Sequence, residues 1–437
     1  MDTVQQEASP ASAGDISSLA DHLFRAEAGK LVSVLTSIFG IERLQLAEDV
    51  VQEAMVRALK TWPYYGIPKN PAAWLTQTAK NLALDLIRRE KLFNDKQPAI
   101  IATFEQWPTE AGGDDAAQFE TELKDDRLRL MFTCCHPLIP HEDQIALALK
   151  TLCGFGTSEI AKAFLTTEPA IAKRLVRARQ KVRELRIPFE IPAGEELASR
   201  LEGVLRTLYL LFNEGYKAST GENLLKEELC REAIRLGSLI GEHPAGNQPR
   251  THALLALMYL NAARLPARVD TEGNLLRLKE QDRASWSRPM IGRGMMHLAQ
   301  SAAGDEITEY HLQAGIAACH CAASDYDSTD WRQILALYDR LVGLDDSPVI
   351  ALNRAVAIAH VDGPKAGIEA VQAIRNRKQL DAYYLLYAVQ GEFEAQLNNF
   401  EAAANYFRKA LQLIEVKSER GFISKRLREC EESQLVT

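Results

Sequence analysis

Apolar side chains recur along nearly the whole chain at spacings of three and four residues, and no stretch alternates apolar with polar at a period of two. Helical periodicity without strand periodicity makes all-α the expected fold class. Breaks in the pattern mark off five stretches. Residues 1–15 are small and polar and are expected to be frayed. Residues 16–92 read as three or four helices. Residues 93–126 contain Trp107-Pro108, Gly112-Gly113-Asp114-Asp115 and the acidic end Lys124-Asp125-Asp126, which are linker features. Residues 127–190 form a second helical block, closed by Ile187-Pro188-Phe189-Glu190-Ile191-Pro192, where the prolines forbid further helix. From 195 to 437 the chain is one long succession of amphipathic helices.

Length and composition narrow the class. A chain of 437 residues exceeds one hydrophobic core, so two or three domains are expected. No apolar run approaches the ~20 residues that span a bilayer, and the acidic start lacks a basic-then-apolar signal pattern. A cytoplasmic protein with no membrane partner is therefore expected. Seven cysteines without regular spacing fit a reducing compartment. The net charge of −8 argues against a protein coated in nucleic acid but permits local basic patches.

One such patch lies between Gly156 and Arg186. A short helix is predicted over Ser158 to Phe164, an interruption at Thr166-Thr167, and a second helix opening at Glu168-Pro169, which together give helix-turn-helix spacing. On the second helix Ile171, Leu175, Ala178, Val182 and Leu185 form one apolar stripe. Lys173, Arg177 and Lys181 make an i, i+4, i+8 row, with Arg174, Arg179 and Arg183 beside it, so six cations are expected to face outward. That is the footprint of a major-groove reader, whereas a merely soluble helix face mixes its signs.

Two further helices carry patterned polar faces. Leu46 to Leu59 places Asp49, Gln52, Glu53 and Val56 in one stripe, acidic and suited to a basic protein surface. Asn70 to Arg89 has an expected core stripe of Leu75, Ala79, Leu82 and Leu86. Its other face carries an exposed Trp74 with Gln77, Asn81, Asp85 and Arg88, residue types that stack on bases and read their edges.

In this order the segments resemble the sigma-70 family, specifically its small extracytoplasmic-function members, over roughly residues 20 to 190. The helix Ala47 to Glu53 looks like the segment that binds the coiled coil of the largest polymerase subunit. The helix Ala73 to Arg89 looks like the one that opens and reads the minus-ten element, and Ile171 to Arg183 like the minus-thirty-five reader. The resemblance implies core RNA polymerase and promoter DNA with an opened minus-ten strand as partners. It assigns Asp49, Gln52 and Glu53 to polymerase, and Trp74, Asn81, Asp85, Arg88 and Arg89 to minus-ten DNA. Lys173, Arg174, Arg177 and Lys181 fall to minus-thirty-five DNA. Ala172 stands where relatives often carry a basic residue. Met131-Phe132-Thr133-Cys134-Cys135-His136-Pro137, together with Tyr209 to Tyr216, resembles a subgroup with a long C-terminal region of tetratricopeptide-like repeats.

Within that region Gly391, Ala403, Phe407 and Ala410 occupy the packing positions of a tetratricopeptide repeat, with Tyr387 at its earlier aromatic position and a weaker partner around Ala351 to Ile374. Such stacks bind peptides or proteins, so a protein or peptide partner and control in cis are expected of 195–437. Tyr209 to Tyr216 offers an interdomain contact or ordinary core packing. Cys134-Cys135-His136 and Cys319-His320-Cys321 lack paired CxxC geometry and read as buried structural cysteines, so no metal and no cofactor is expected. Phosphate-loop, HExxH, nucleophile-elbow and dinucleotide motifs are absent, and no enzyme is expected. The competing class is a conventional helix-turn-helix activator with a helical sensor domain, which has no need of the Asp49 and Trp74 helices.

Overall fold

In the computed structural model, residues 13–89, 125–164, 166–217, 224–270, 276–414 and 417–436 are described. Residues 1–12 and nearly all of the expected linker, 90–124, lie outside them. Every extended regular element among the described residues is a helix, as the periodicity requires. No helix among them is long and apolar enough to cross a membrane. The chain divides into two compact units, 1–207 and 208–437.

The first unit begins with α1 (Ala13–Phe39), so residues 13–15, expected to be frayed, form its first turn. Gly40, at φ 89, breaks the helix into a 3-10 turn, Ile41–Arg43, and α2 follows over Leu44–Tyr65. Gly66, at φ 80, closes α2 by donating its N–H to the Trp62 carbonyl. Helix α3 (Pro71–Arg89) opens on Asn70, whose Oδ1 accepts the Ala73 N–H at 3.1 Å, with Pro71 in the position that needs no donor. Trp62 is buried between Phe24 and Trp74, ring centroids 5.7 and 5.6 Å away. The buried stripe of α3 is Leu75, Ala79, Ala83 and Ile87; Leu82 and Leu86 are only half-buried. The stripe lies one position further round than the largest side chains suggest, because the alanines let α1 and α2 approach closely.

After helix α4 (125–134) come α5 (His141–Leu152), α6 (Thr157–Ala163) and α7 (Glu168–Glu184). Ile171, Leu175, Ala178 and Val182 are buried along α7 as read, but Leu185 is 41% exposed. The helix stops first: Arg186 takes a left-handed φ of 47, and the N–H groups of Arg186 and Ile187 bond back to the carbonyls of Arg183 and Val182. That Schellman closure brings Ile187, 2% exposed, into the core position expected of Leu185. Helix α8 (Gly194–Lys217) supplies Arg200, 2% exposed, which donates to the Phe132 carbonyl, and Thr207, which donates to Gln144. The side chains up to Thr207 thus pack with the first unit, past the boundary near 195 read from the prolines.

The second unit continues with α9 (Leu224–Glu242), α10 (Pro249–Ala262), α11 (Arg288–Ser301), α12 (Glu309–Ala322), α13 (Trp331–Leu344), α14 (Pro348–Asp362), α15 (Pro364–Gln372), α16 (Tyr384–Gln396), α17 (Phe400–Leu413) and α18 (Lys417–Val436). Successive helices pack on one another, and α10 is buried on nearly every side, as a helix apolar all round must be. At the end of the chain Ala403, Phe407 and Ala410 are fully buried, and a Cβ on Gly391 would lie 2.7 Å from the Phe407 ring. Gly367 of α15 meets Ala359 and Phe393 in the same way.

Tyr209 donates its hydroxyl to Gln313 at 3.0 Å, and the Tyr216 ring lies under the Arg268 guanidinium at 3.9 Å. These aromatics have partners inside the second unit.

All seven cysteines are free, Cys319 alone being half-exposed. Cys134 and Cys135 are 0 and 1% exposed, and burial pushes the Cys135 thiol up to about 12. No cluster of three or more His, Cys, Asp or Glu able to hold a metal occurs among the described residues.

Burial, with Arg264, Arg283 and His360 nearby, pushes the His320 imidazole from 6.5 down to about 3. The unfolded chain therefore takes up a proton below pH 6.5 that the folded chain refuses, so the stability is full above 6.5 and lost as pH falls toward 3. Acidification from pH 7 to 5 is expected to cost the wild type up to about 2 kcal/mol through this group. Scanning calorimetry should find a smaller loss in His320→Gln; equal losses would show that His320 does not control it.

Candidate functional site

Helix α2 presents two faces with different chemistry. Ala47, Val50, Val51, Ala54 and Ala58 are buried, while Asp49, Gln52 and Glu53 are exposed together. Within this outer stripe Glu53 pairs with Arg57 at 3.1 Å, one turn on. On α3, Asn81, Asp85, Arg88 and Arg89 are all exposed, and Gln77 donates to Asn81 at 2.8 Å. Trp74, expected to be exposed, is half-buried with its ring edge-on to Trp62 at 66°. The stack of Phe24, Trp62 and Trp74 fills the space between helices and explains the difference. The exposed aromatics here are Tyr64 and Tyr65, 84 and 87% exposed at the end of α2. Sequence reading passed over them as a break; the signal was two adjacent tyrosines between a proline and a glycine, where no helix face could bury both.

The cations of α7 are not equivalent. Lys173, Lys181 and Arg183 are exposed and have no carboxylate partner among the described residues. Arg174 pairs with Glu142 at 2.7 Å. Arg177 grips Asp143 through two bonds, 2.8 and 3.2 Å, and Asp143 is 1% exposed. Arg179 corrects the expectation of six outward cations: its side chain is 15% exposed and turned inward, Nη2 standing 2.5 Å from the Glu48 carboxylate.

Glu48 precedes Asp49 on α2 but faces the other way, 7% exposed. It also accepts the Thr151 hydroxyl of α5 at 2.8 Å. One buried carboxylate thereby joins α2 to α5 and α7. Loss of water pushes its carboxyl above the usual range, against the opposing pull of Arg179 and Thr151. Beside this network α1 and α5 touch backbone to backbone, since a Cβ on Gly29 would lie 2.1 Å from the Leu152 carbonyl oxygen. Residues of the 3-10 turn, Ile41 and Glu42, line a small cleft with Arg179, Val182 and Arg183. The first three helices and the α5–α7 block are thus latched together within one unit.

Residues 23–93, which comprise most of α1 and all of α2 and α3, match the family model of sigma-70 region 2. Residues 200–302 match a family of unknown function, DUF6596. An uncharacterized protein of Rhizobium meliloti (strain 1021) is 38% identical over 387 residues, covering 88% of this chain and 90% of its own. A probable RNA polymerase sigma factor, RfaY, of Xanthomonas campestris pv. campestris is 27% identical over 139 residues, covering 31% of this chain and 33% of that protein. With region 2 folded around the acidic and polar faces just described, and a long helical extension behind it, the chain belongs to the sigma-70 family of RNA polymerase sigma factors, as a member with a C-terminal extension.

Proposed function

We propose that the protein is a cytoplasmic sigma factor of the extracytoplasmic-function type that binds core RNA polymerase and directs promoter-specific initiation. The observation that carries the reading is the exposed Asp49, Gln52, Glu53 stripe backed by the Asn81, Asp85, Arg88, Arg89 face, inside the segment matched to sigma-70 region 2. An activator that merely recruits polymerase has no use for that pair of surfaces. Asp49, Gln52 and Glu53 take the polymerase; Asn81, Asp85, Arg88 and Arg89 take minus-ten DNA. Tyr64 and Tyr65 add stacking surface for an opened strand, and Trp74 supports the face from beneath. The pair α6 and α7 acts as the helix-turn-helix for the minus-thirty-five element, and the 208–437 unit as a tetratricopeptide-like regulator in cis. Binding of the full chain to core polymerase without DNA, followed by in vitro transcription, tests the whole: failure to bind core in the absence of DNA would favour the activator class.

Helix α7 makes a finer prediction. Lys173 and Lys181 are, with Arg183, the uncommitted cations, so replacing each lysine with alanine is expected to weaken promoter binding and to lower the salt slope by about one per lysine, as phosphate contacts do. Arg177 is held by buried Asp143, so Arg177→Ala is expected to cost stability as well as affinity. Electrophoretic titrations across a salt series, beside urea melts, separate these effects. Loss of stability without loss of DNA affinity in the lysine variants would remove α7 from the interface.

The latch sets a resting state. Promoter elements two helical turns apart are about 70 Å apart, whereas α2 and α7, joined through Glu48 and Arg179, are only about 33 and 26 Å long. Helices of this length favour a latched form in which the two blocks do not span both elements at once. The 35 residues between the end of α3 and the start of α4, 90–124, have a contour length of up to about 115 Å, enough to span both elements once the latch opens.

A further inference from the structure

The second unit contains a cavity of about 650 Å³ among α8, α10, α12, α13 and α14, within the usual size for small-molecule sites. Arg264 lies on its wall. The guanidinium of this half-buried arginine makes a cation–π contact with Trp286, 5.3 Å to the ring centroid, yet donates to no oxygen among the described residues, and its Nε is fully buried. Asp345 lines the same cavity without an ion pair to Arg264, and the Arg268 guanidinium donates to the Tyr216 carbonyl. A second wall residue, Gln281, is 8% exposed; its amide nitrogen donates to the Leu276 carbonyl at 3.1 Å, but its Oε1 has no donor. His320, also on the wall, has an Nδ1 without a partner. Buried polar atoms are almost always satisfied, so a buried Nε without an acceptor and a buried amide oxygen without a donor are exceptions that call for a partner. Three unfilled hydrogen-bonding groups on one cavity are therefore the negative image of a ligand.

The image is specific enough to give a chemical class. Arg264 calls for an oxyanion that can take two parallel N–H bonds, a carboxylate or a phosphate. Gln281 Oε1 calls for a hydroxyl or amino donor. Leu257, Ile316, Leu341 and Ile350 offer an apolar wall for the body between them. We propose that this cavity is a binding site for a small organic acid carrying a hydroxyl or amino group, seated with its anionic head on Arg264 and its donor on Gln281. Tyr209, Arg264, Arg268 and Gln281 all fall inside the segment matched to the family of unknown function, 200–302. The site would give the extension a chemical input, and it stands or falls on the second unit alone, independently of the sigma-factor reading.

Isothermal titration of the full-length chain tests it with five probes: 4-hydroxyphenylacetate, phenylacetate, 4-hydroxyphenyl phosphate, inorganic phosphate and the neutral 4-hydroxyphenylacetamide. Saturable binding of 4-hydroxyphenylacetate or 4-hydroxyphenyl phosphate is expected, which of the two binds tells a carboxylate from a phosphate head, and binding of inorganic phosphate alone would overturn the proposal. Arg264→Met should weaken it at least tenfold and Arg264→Lys less. Gln281→Leu should weaken 4-hydroxyphenylacetate more than phenylacetate, a selectivity that general unfolding cannot produce. No saturable binding of either organic anion at millimolar concentration would overturn the proposal. So would equal affinity for the neutral amide, or unchanged binding by a folded Arg264→Met chain.

Discussion

Replacing Gly29 with alanine is expected to tighten binding to core RNA polymerase and to raise transcription from a matched promoter. In the latched unit the new methyl would lie 2.1 Å from the Leu152 carbonyl oxygen, a backbone atom that no side-chain rotation can move away. Helices α1 and α5 must then part. The substitution does not weaken α1 itself, because alanine is worth about 1 kcal/mol more than glycine in a helix interior. If polymerase takes only the open chain, its apparent affinity scales with the open fraction, and each 1.4 kcal/mol removed from the latched state gives up to tenfold. Glu48→Ala should act in the same direction, since it leaves Arg179 and Thr151 buried without their acceptor at a cost of about 3 kcal/mol or more. Energy transfer between dyes on the two blocks should report the separation while polymerase titration reports the affinity. A separated chain with unchanged or weaker polymerase binding would mean that the latch does not guard the polymerase surface.

Charge reversal on the outer face of the same helix should do the opposite. In Asp49→Lys with Glu53→Lys the helix keeps its buried face, and the only described ion pair lost is the exposed one to Arg57, which is worth little. Core polymerase affinity is nonetheless expected to fall at least tenfold, because like charges would face a basic partner surface. Circular dichroism should be unchanged. Undiminished affinity would take the polymerase role away from α2. Glu48 and Asp49, adjacent in sequence, would then be separated by experiment into an inward residue that restrains and an outward one that engages.

How much of this was legible in the sequence depended on how local the cause was. The α7 stripe of Ile171, Leu175, Ala178 and Val182 follows from helical period alone, and so does the outward set of Asp49, Gln52 and Glu53. The packing positions Gly391, Ala403, Phe407 and Ala410 were readable for the same reason, one small residue facing one ring. Failures came where a distant partner decides. Arg179 looks like its neighbours until Glu48, 131 positions earlier, takes it inward. Ala83 and Ile87 displace Leu82 and Leu86 from the α3 core because neighbouring helices choose the face. Trp74 is covered by Trp62, and Leu185 yields to Ile187 through the left-handed turn at Arg186. The empty hydrogen-bonding capacity around Arg264 had no local trace either, since helices from across the second unit assemble that wall.

The thiols limit which signals this chain can read. With its pKa near 12, Cys135 at neutral pH is thiolate in only about one molecule in 10⁵, and it is the thiolate that attacks peroxides and disulfides. Burial pushes Cys134 up as well, and Cys230, Cys321 and Cys430 are also buried with raised thiols. An oxidant reaching the folded protein therefore meets six buried thiols and the half-exposed Cys319, whose thiol desolvation also raises. Single cysteines introduced at exposed positions outside the proposed binding surfaces, such as 60 or 190, would accordingly be labelled far faster than the six buried thiols, so the dyes for the energy-transfer measurement can be placed once Cys319 alone has been replaced.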